Sequence, residues 1–386
     1  MILKSISLKN FRIHKNTQSG FSENVNYVVG GNGQGKTTLL EAIYYLCTTK
    51  SHTASSDSEA VNFNGSSFEI SGTFQGLSEN IVRIYFTAEE NRKYFFVDGK
   101  QIFRAAEVIG RYPVVILTPE DHSITQGAPA DRRKFVDSVI SQSSSTYLSI
   151  LLDYNRTLRQ RSSLLSQYKE TRNKALLSQL DAWSQRLAQT GSQIIKHRLQ
   201  FIGEFNSYLA TSYNFIMEGS ENPGIGYKWL DDPGDISGQQ AGRQNDEIPD
   251  DSYIEKSFLR VLSEKRDEEI RRASNLVGPH RDDYLFSINS TDLKKYGSQG
   301  QNKTFQITLR FAQYFYLKDL LGRRPIFLMD DVFGELDAFR AGKISSYLDQ
   351  IGQAFVTLTD LSDFSYLKKN DHDSVIKIYD GNVSYG

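Results

Sequence analysis

A glycine-rich segment near the N-terminus holds the residues with the clearest chemical meaning. It consists of Gly30, Gly31, Asn32, Gly33, Gln34, Gly35, Lys36 and Thr37. This order fits the pattern G-x-x-x-x-G-K-[ST], placed between an apolar run over residues 25–29 and a helical pattern over residues 38–46. Glycines at this spacing let successive backbone N–H groups and the helix N-terminus face a phosphate. The sequence therefore predicts a binding site for the phosphates of a nucleotide.

The residues that follow the glycines predict which nucleotide and which metal are bound. Lys36 would neutralise the β- and γ-phosphates, while Thr37 and Thr38 would bind phosphate and Mg²⁺. The run Asn173-Lys174-Ala175-Leu176 departs from the guanine-selecting pattern N-K-x-D at its last position. The sequence therefore favours ATP over GTP, with Mg²⁺ as the accompanying ion.

A second candidate group lies far along the chain, where the apolar run over residues 326–329 ends in Asp330 and Asp331. A strand that ends in two carboxylates suits a magnesium-orienting Asp330 and a water-polarising Asp331. Asp331 and Lys36 are thus the candidate catalytic residues, and Thr37 and Asp330 the candidate metal ligands. An apolar strand with an acidic end also arises by chance far more often than a phosphate loop does. This motif alone therefore fits either a functional pair of carboxylates or a chance strand end.

Two further segments complete the motif order. Ser298, Gln299, Gly300 and Gln301 precede a helical pattern, and residues 334–337 (G-E-L-D) follow the two carboxylates. Taken alone, the first segment reads equally well as an ordinary loop before a helix. The order of phosphate loop, long insertion, S-x-G-Q, acidic strand end and x-x-L-D resembles that of ABC-type ATPase heads, and within them the RecF family of bacterial recombination mediators. That resemblance also rests on K-N-F-R at 9–12, G-P-H-R-D-D at 278–283 and T-L-T-D at 357–360.

The resemblance implies an α/β fold, an ABC-type P-loop ATPase head with an inserted helical arm. It further implies an ATP-dependent homodimer in which Ser298, Gly300 and Gln301 contact the nucleotide held by the other subunit. In such heads the helix after Ser298 directs its positive end at the γ-phosphate. DNA at gaps or single-strand/duplex junctions and the RecO and RecR proteins are the implied partners, and recombinase loading is the implied role.

Three positions depart from the related ATPases. Asp331 stands where transporter heads carry a glutamate, which predicts slow hydrolysis that acts as a timer. The alternative is a DNA-binding scaffold with negligible turnover. Thr359 stands where transporter heads place a phosphate-sensing histidine, so no histidine switch is predicted. Ser51-His52-Thr53 stands where RecF proteins often show Ser-Phe-Arg, so no basic DNA contact is predicted from that loop.

Two rival ATPase classes fit the chain less well. An ABC transporter subunit would have a membrane partner and a much shorter insertion before S-x-G-Q. A nuclease-coupled ATPase would have heptad-repeat arms that end in a Cys-x-x-Cys zinc hook, whereas this chain has one cysteine, Cys47. That single cysteine is interpreted as a small buried core residue.

Periodicity divides the 386 residues into three segments. Residues 1–125 read mainly as strands and form the N-terminal part of the head. Residues 126–272 are the helical arm, with long amphipathic helices over about 131–213, an irregular, partly disordered loop over 219–251 and a helix over 253–272. Residues 273–386 form the C-terminal part of the head, where strands return.

Composition limits the partners. The net charge is −1, so any binding to a polyanion must depend on local basic residues. The mean hydropathy is −0.46, and no apolar run approaches the roughly 20 residues that span a bilayer. The N-terminus shows neither a hydrophobic signal core nor a cleavage site. We therefore expect a cytoplasmic protein without a membrane partner.

Three charged segments allow two interpretations each. The basic run from Arg156 to Lys174 is either a solvated helix face or a surface for backbone phosphates. Pro119-Glu120-Asp121 is either a hinge between head and arm or an ordinary turn. His280, Asp282 and Asp283 have poor spacing for a metal site, and a structural cluster is the favoured interpretation.

Overall fold

The computed structural model describes residues 1–63, 65–219, 221–230, 248–360 and 370–385. The chain divides into two compact units. The first unit comprises Met1–Asp121, Phe215–Met217 and Arg310–Gly386, and the second comprises His122–Asn214 and Glu218–Leu309.

The first unit begins with an antiparallel sheet of six strands in the order β2-β1-β4-β5-β6-β7. Their bounds are β1 Ile2–Phe11, β2 His14–Gly20, β4 Ser67–Gln75, β5 Glu79–Thr87, β6 Arg92–Val97 and β7 Lys100–Ile102. Burial alternates along β4 and β5, as expected for a sheet with one face against the core. Asp98 and Gly99, both with positive φ, form the tight turn between β6 and β7 that the Asp-Gly pair predicts.

The second sheet of this unit carries the candidate site, in the order β15-β14-β3-β13-β12-β8. Its bounds are β3 Val25–Val29, β8 Val114–Leu117, β12 Ile326–Met329, β13 Ala354–Leu358, β14 Ser374–Tyr379 and β15 Asn382–Tyr385. All neighbours pair in parallel except β14 and β15. The strands β8, β12 and β13 are buried along their whole length, which explains their continuous apolar sequences.

Helix α1 (Lys36–Thr48) connects the phosphate loop to the core of the first unit. Its side chains Leu39, Leu40, Ile43 and Leu46 are fully buried in a cluster that contains residues of both sheets. Cys47 is buried in the same cluster, as predicted. A second helix of this unit, α9 (Ala338–Leu348), begins after Asp337, whose carboxylate accepts a hydrogen bond from the Arg340 N–H.

The second unit is mainly helical. Its helices are α2 His122–Gln126, α3 Pro129–Ser143, α4 Ser145–Thr171, α5 Ala175–Met217, α6 Asp251–Arg272 and α7 Leu293–Tyr296. Helix α8 (Gln299–Leu321) and the last residues of α5 also contribute to the first unit. The long amphipathic helices over 131–213 and the helix over 253–272 are thus confirmed.

The predicted irregular loop over 219–251 is wrong at one place. Strand β9 (Pro223–Lys228) pairs with β10 (Asp283–Ile288), and β11 (Thr291–Asp292) completes a three-stranded sheet. Pro223 begins β9, which is an edge strand of this sheet, and a missing N–H is tolerated there. The proline and glycines of β9 are typical of a loop, which explains why the strand was not predicted. The remaining part of that prediction, residues 231–247, lies outside the described residues.

The contacts also group residues 273–309 with the second unit, although the sequence predicts that they belong to the head. The pairing of β10 with β9 explains this difference. The predicted division into head and arm, with boundaries at residues 125 and 272, stays a prediction.

Within the described residues, no helix combines the length and apolar character needed to cross a membrane.

Candidate nucleotide-binding site

The phosphate loop adopts a conformation that requires its glycines. Gly33 and Gly35 have φ values of 76° and 109°, in the region that favours glycine. A Cβ atom on Gly30 would lie 2.3 Å from the carbonyl oxygen of Ile378. The loop therefore folds from β3 into α1 in a shape that larger residues could not adopt.

Lys36 lies in the first turn of α1, and its side chain folds back over the phosphate loop. Its Nζ donates hydrogen bonds to the carbonyl oxygens of Gly30 (2.5 Å) and Gly31 (2.9 Å). Burial lowers the pKa of Lys36, and the nearby carboxylates of Asp331 and Asp330 oppose that shift. The ammonium group is therefore held above the loop, where it can exchange carbonyl partners for phosphate oxygens.

The two predicted metal ligands are in contact. The Thr37 hydroxyl donates to Oδ1 of Asp330 at 3.1 Å, although the two residues are far apart in sequence. Burial raises the pKa of Asp330, while hydrogen bonds from Thr357 and Thr37 oppose this shift. A carboxylate beside a threonine hydroxyl is a hard oxygen set of the kind that Mg²⁺ prefers, so these residues fit that ion.

Asp331 differs from Asp330 in its surroundings. It is exposed, and its φ of 49° lies in the left-handed region, at the second residue after β12. Its backbone N–H donates to Oγ1 of Thr357 at 2.8 Å. The two neighbouring carboxylates thus present one buried and one solvent-accessible group at the same strand end.

A cleft of about 680 Å³ in the first unit brings these residues together. It is lined by most of the phosphate loop together with Thr37, Thr38, Asp330, Asp331 and Thr357. Arg12, Asn62 and Phe63 also line it, and the Phe63 side chain is fully exposed. The cleft thus offers an aromatic face, a basic group and an amide besides the phosphate-binding elements.

Residues that belong to none of the sequence motifs support the phosphate loop on its inner side. His14 is fully buried, with Nε2 3.1 Å from the Gly35 carbonyl and Nδ1 2.9 Å from the Gly381 carbonyl. The Gly381 N–H donates to the carbonyl of Gln34, whose side chain in turn accepts the Asp380 N–H. The turn between β14 and β15 therefore lies against the end of the phosphate loop.

The S-x-G-Q segment forms the start of α8. The Ser298 hydroxyl accepts from the Gln301 N–H at 3.1 Å, and the Gln301 side chain accepts from the Ser298 N–H at 3.0 Å. This reciprocal pair is a capping box, which satisfies two donors at the helix N-terminus. Ser298 is exposed and Gly300 half-buried, and the Gln301 amide also donates to Glu221.

The loop over Ser51-His52-Thr53 surrounds a carboxylate. The Ser51 and Thr53 hydroxyls donate to Glu41, as does the Arg12 guanidinium. Burial acts to raise the pKa of Glu41, but these hydrogen bonds hold it below its usual value. Thr53, which occupies the position of the arginine in the Ser-Phe-Arg pattern, therefore belongs to an internal hydrogen-bond network around Glu41.

Side chains of the G-P-H-R-D-D segment are held in a hydrogen-bonded cluster. His280 Nδ1 lies 2.6 Å from the Tyr154 hydroxyl, and burial lowers the pKa of His280 to about 4. Asp282 is buried, where its carboxylate accepts from the Tyr227 hydroxyl and the Leu230 N–H. Among the residues that the structure describes, no group of three His, Cys, Asp or Glu side chains is placed to hold a metal ion.

The other charged segments separate into buried and exposed members. In the basic run from Arg156 to Lys174, Arg161 is buried against Glu269, whereas the remaining basic side chains are exposed. These are Arg156, Arg159, Lys169, Arg172 and Lys174. In the Pro119–Asp121 turn, Asp121 accepts two hydrogen bonds from Arg310, at 2.8 and 2.6 Å.

The fold and the phosphate loop together define a P-loop ATPase head of the ABC type. The AAA domain family matches residues 5–363. The solved head domain of an Smc protein from Pyrococcus furiosus has the same fold, with a TM-score of 0.55 at 13% identity. Within this class, the chain belongs to the RecF family.

Two comparisons establish the family. The DNA replication and repair protein RecF of Chloroherpeton thalassium is 39% identical over 97% of this chain and 100% of its own length. A solved structure of the recombination mediator protein RecF with ATP, from the RecFOR pathway, has a TM-score of 0.87. It is 32% identical and covers 100% of this chain and 97% of its own. The resemblance found in the sequence is thereby confirmed.

Proposed function

We propose that this chain is an ATP-dependent DNA-binding protein of recombinational repair and replication restart, which closes as a dimeric clamp on gapped or junction DNA. The observation that carries the proposal is the contact between Thr37 and Asp330 beside the phosphate loop. Membership of a family whose named relatives act in DNA replication and repair supports it, as does a solved relative with ATP.

In the proposed site, residues 30–35 bind the phosphates through their backbone N–H groups, and Lys36 neutralises them. Thr37 and Asp330 would hold Mg²⁺, which when bound supplies positive charge against the phosphate oxygens. Asp331 is solvent-accessible and orients water. Thr38 lines the same cleft and would contact a phosphate.

Dimerisation would complete the site with Ser298, Gly300 and Gln301 of a second copy. The exposed N-terminus of α8 carries partial positive charge, which suits a γ-phosphate. ATP would favour the dimer because only the triphosphate reaches both chains, whereas hydrolysis would release it. Since Asp331 has a shorter side chain than glutamate, we infer that hydrolysis is slow and serves as a timer.

DNA would be held through its backbone phosphates. The exposed basic side chains between Arg156 and Lys174 offer local positive charge on a chain whose net charge is −1. Such contacts carry little sequence preference and weaken as salt rises. A RecF relative is placed in the RecFOR pathway, and we propose RecO and RecR proteins as partners in recombinase loading.

Fluorescence anisotropy with labelled gapped DNA tests the proposal. The wild-type chain should bind the DNA more tightly with ATP than with ADP or without nucleotide, whereas Lys36→Met should bind equally weakly in all three conditions. Lys100→Met serves as a matched control, because Lys100 is exposed on β7 and does not line the cleft. Equal DNA affinity of the wild type with and without ATP would contradict the proposal.

The second candidate function is a DNA-binding scaffold with negligible turnover. The short side chain and left-handed backbone of Asp331 favour it. Steady-state phosphate release with and without DNA separates the two functions, because a timer turns over slowly whereas a scaffold shows no release above that of Lys36→Met.

A further inference from the structure

We propose that Thr357 is a positioning residue that aligns both Asp330 and Asp331 for the magnesium–nucleotide complex. The inference rests on the proposed ATP-binding function and adds a residue that no phosphate-loop or acidic-strand motif includes. Thr357 lies on β13, and only 1% of its surface is exposed.

The register of the sheet brings Thr357 to the two carboxylates. Strand β13 pairs in parallel with β12, and Val356 lies opposite Met329. Thr357, the next residue of β13, is therefore level with Asp330, the first residue after β12. The Thr357 hydroxyl donates to Oδ1 of Asp330 at 2.9 Å and accepts the Asp331 N–H at 2.8 Å.

The first of these hydrogen bonds orients the Asp330 carboxylate. A threonine hydroxyl has one proton to donate, and here that proton goes to Oδ1. Thr37 donates to the same oxygen at 3.1 Å. Among the described residues Oδ2 receives no hydrogen bond, so the two threonines fix the rotation of the carboxylate and leave one oxygen available.

The second hydrogen bond stabilises the backbone of Asp331. A non-glycine residue in the left-handed region costs about 1 kcal/mol, and the φ of Asp331 is 49°. Its N–H would lose its partner if the Thr357 hydroxyl were removed. The direction of the Asp331 carboxylate would then be less well defined.

A purely structural role predicts a different outcome for the same residue. Strand β13 is otherwise apolar, and Thr357 is flanked by the buried Val356 and Leu358. If packing alone mattered at this position, valine would fill the same volume and be neutral or stabilising. Thr357→Val therefore separates the hydroxyl from the shape.

The experiment measures binding of a fluorescent ATP analogue as Mg²⁺ is titrated, and repeats the measurement in EDTA. Loss of a group that orients a metal ligand typically weakens metal affinity by about tenfold or more. Thr357→Val and Thr357→Ala should need about tenfold more Mg²⁺ for half-saturation, with unchanged nucleotide affinity in EDTA. Thr357→Ser keeps the hydroxyl and should behave like the wild type.

Each alternative outcome has a defined meaning. Wild-type magnesium dependence in both Thr357→Val and Thr357→Ala overturns the inference, as does a serine variant that is as impaired as the valine variant. Thermal unfolding of all three variants identifies any that fails to fold, and the alanine variant replaces the valine variant in that case. If the wild type binds no nucleotide at any Mg²⁺ concentration, the proposed function fails, and the inference fails with it.

Discussion

The imidazole Nε2 of His14 lies 3.1 Å from the carbonyl oxygen of Gly35, the last loop residue before α1. The fit is close, because a Cβ atom on Gly35 would lie 2.8 Å from that nitrogen. On the other side of the ring, Nδ1 faces Thr17 and the Gly381 carbonyl. One buried histidine therefore joins β2, the phosphate loop and the β14–β15 turn.

His14→Phe should weaken both folding and nucleotide binding. The ring would fill the space, but the Gly35 carbonyl would lose its contact with the imidazole and keep only the hydrogen bond from the Leu39 N–H. Loss of one such hydrogen bond costs about 0.5–1.5 kcal/mol in the free energy of unfolding. Chemical denaturation and binding of a fluorescent ATP analogue measure the two effects. His14→Gln retains an N–H donor and should be milder. A phenylalanine variant with wild-type stability and ATP affinity would contradict the assigned role.

Lowering the pH should stabilise the folded protein through the buried carboxyl group of Asp282. Burial raises the pKa of this carboxyl to about 6, against 3.8 as its usual value. As the pH falls from 7 to 4.5, the folded state takes up a proton before the unfolded state does, so this group adds stability at acid pH. The gain is of order 1–3 kcal/mol. Asp282→Asn should lack it.

Urea denaturation of both proteins between pH 4.5 and 7.5 measures this effect. The difference in unfolding free energy, wild type minus Asp282→Asn, should increase as the pH is lowered. A difference that stays constant with pH would show that Asp282 is ionised throughout this range in the folded state.

His52→Phe should stabilise the protein. The His52 ring contacts Tyr44 edge to face, with the ring centroids 5.4 Å apart. Both ring nitrogens are buried, and neither has a hydrogen-bond partner among the described residues. Phenylalanine keeps the aromatic contact and removes the unpaired nitrogens, which should raise the unfolding free energy by about 1 kcal/mol. Thermal and urea unfolding provide the test, with His52→Ala as the variant that loses the ring contact. A destabilised phenylalanine variant would refute this account.

Two arginines on α4 should respond differently to substitution. Arg161 donates to Glu269 at 2.6 Å, and both side chains are buried. Removing one partner of a buried ion pair costs about 3–5 kcal/mol, so Arg161→Leu should destabilise the fold. Arg159 is exposed, and Arg159→Ala should leave the stability within about 0.5 kcal/mol.

Variants of Arg159 also test the proposed DNA surface. We expect Arg159→Ala to weaken DNA binding. The slope of log affinity against log salt concentration should also become smaller by about one. Arg159→Lys retains the charge and should restore the salt dependence. If Arg159→Ala binds DNA as tightly as the wild type at every salt concentration, Arg159 does not contact DNA.

Local patterns were sufficient to predict much of the head. The glycine spacing around Lys36, the apolar strand before Asp330 and the helix after Ser298 are each contiguous in sequence, and the structure contains the corresponding loop, strand and helix. The period of the apolar residues likewise predicted the long helices, because an amphipathic face must be buried.

The residues that support the site could not be predicted in this way. His14 and Gly381 are 367 positions apart, and no local pattern connects them. Thr357 lies in a buried strand, where a single hydroxyl carries no signal of its partner. Strand β9 was missed because its proline and glycines are typical of turns, although pairing with β10 overrides that tendency.

Sedimentation velocity with ATP, with ADP and without nucleotide tests the central claim most directly. We expect the wild type and Asp331→Asn to form dimers with ATP, with the asparagine variant persisting because water is no longer oriented for hydrolysis. Ser298→Arg should bind ATP and stay monomeric, and Lys36→Met should stay monomeric because it lacks the nucleotide. An Asp331→Asn chain that remains monomeric at saturating ATP would contradict the ATP-gated clamp.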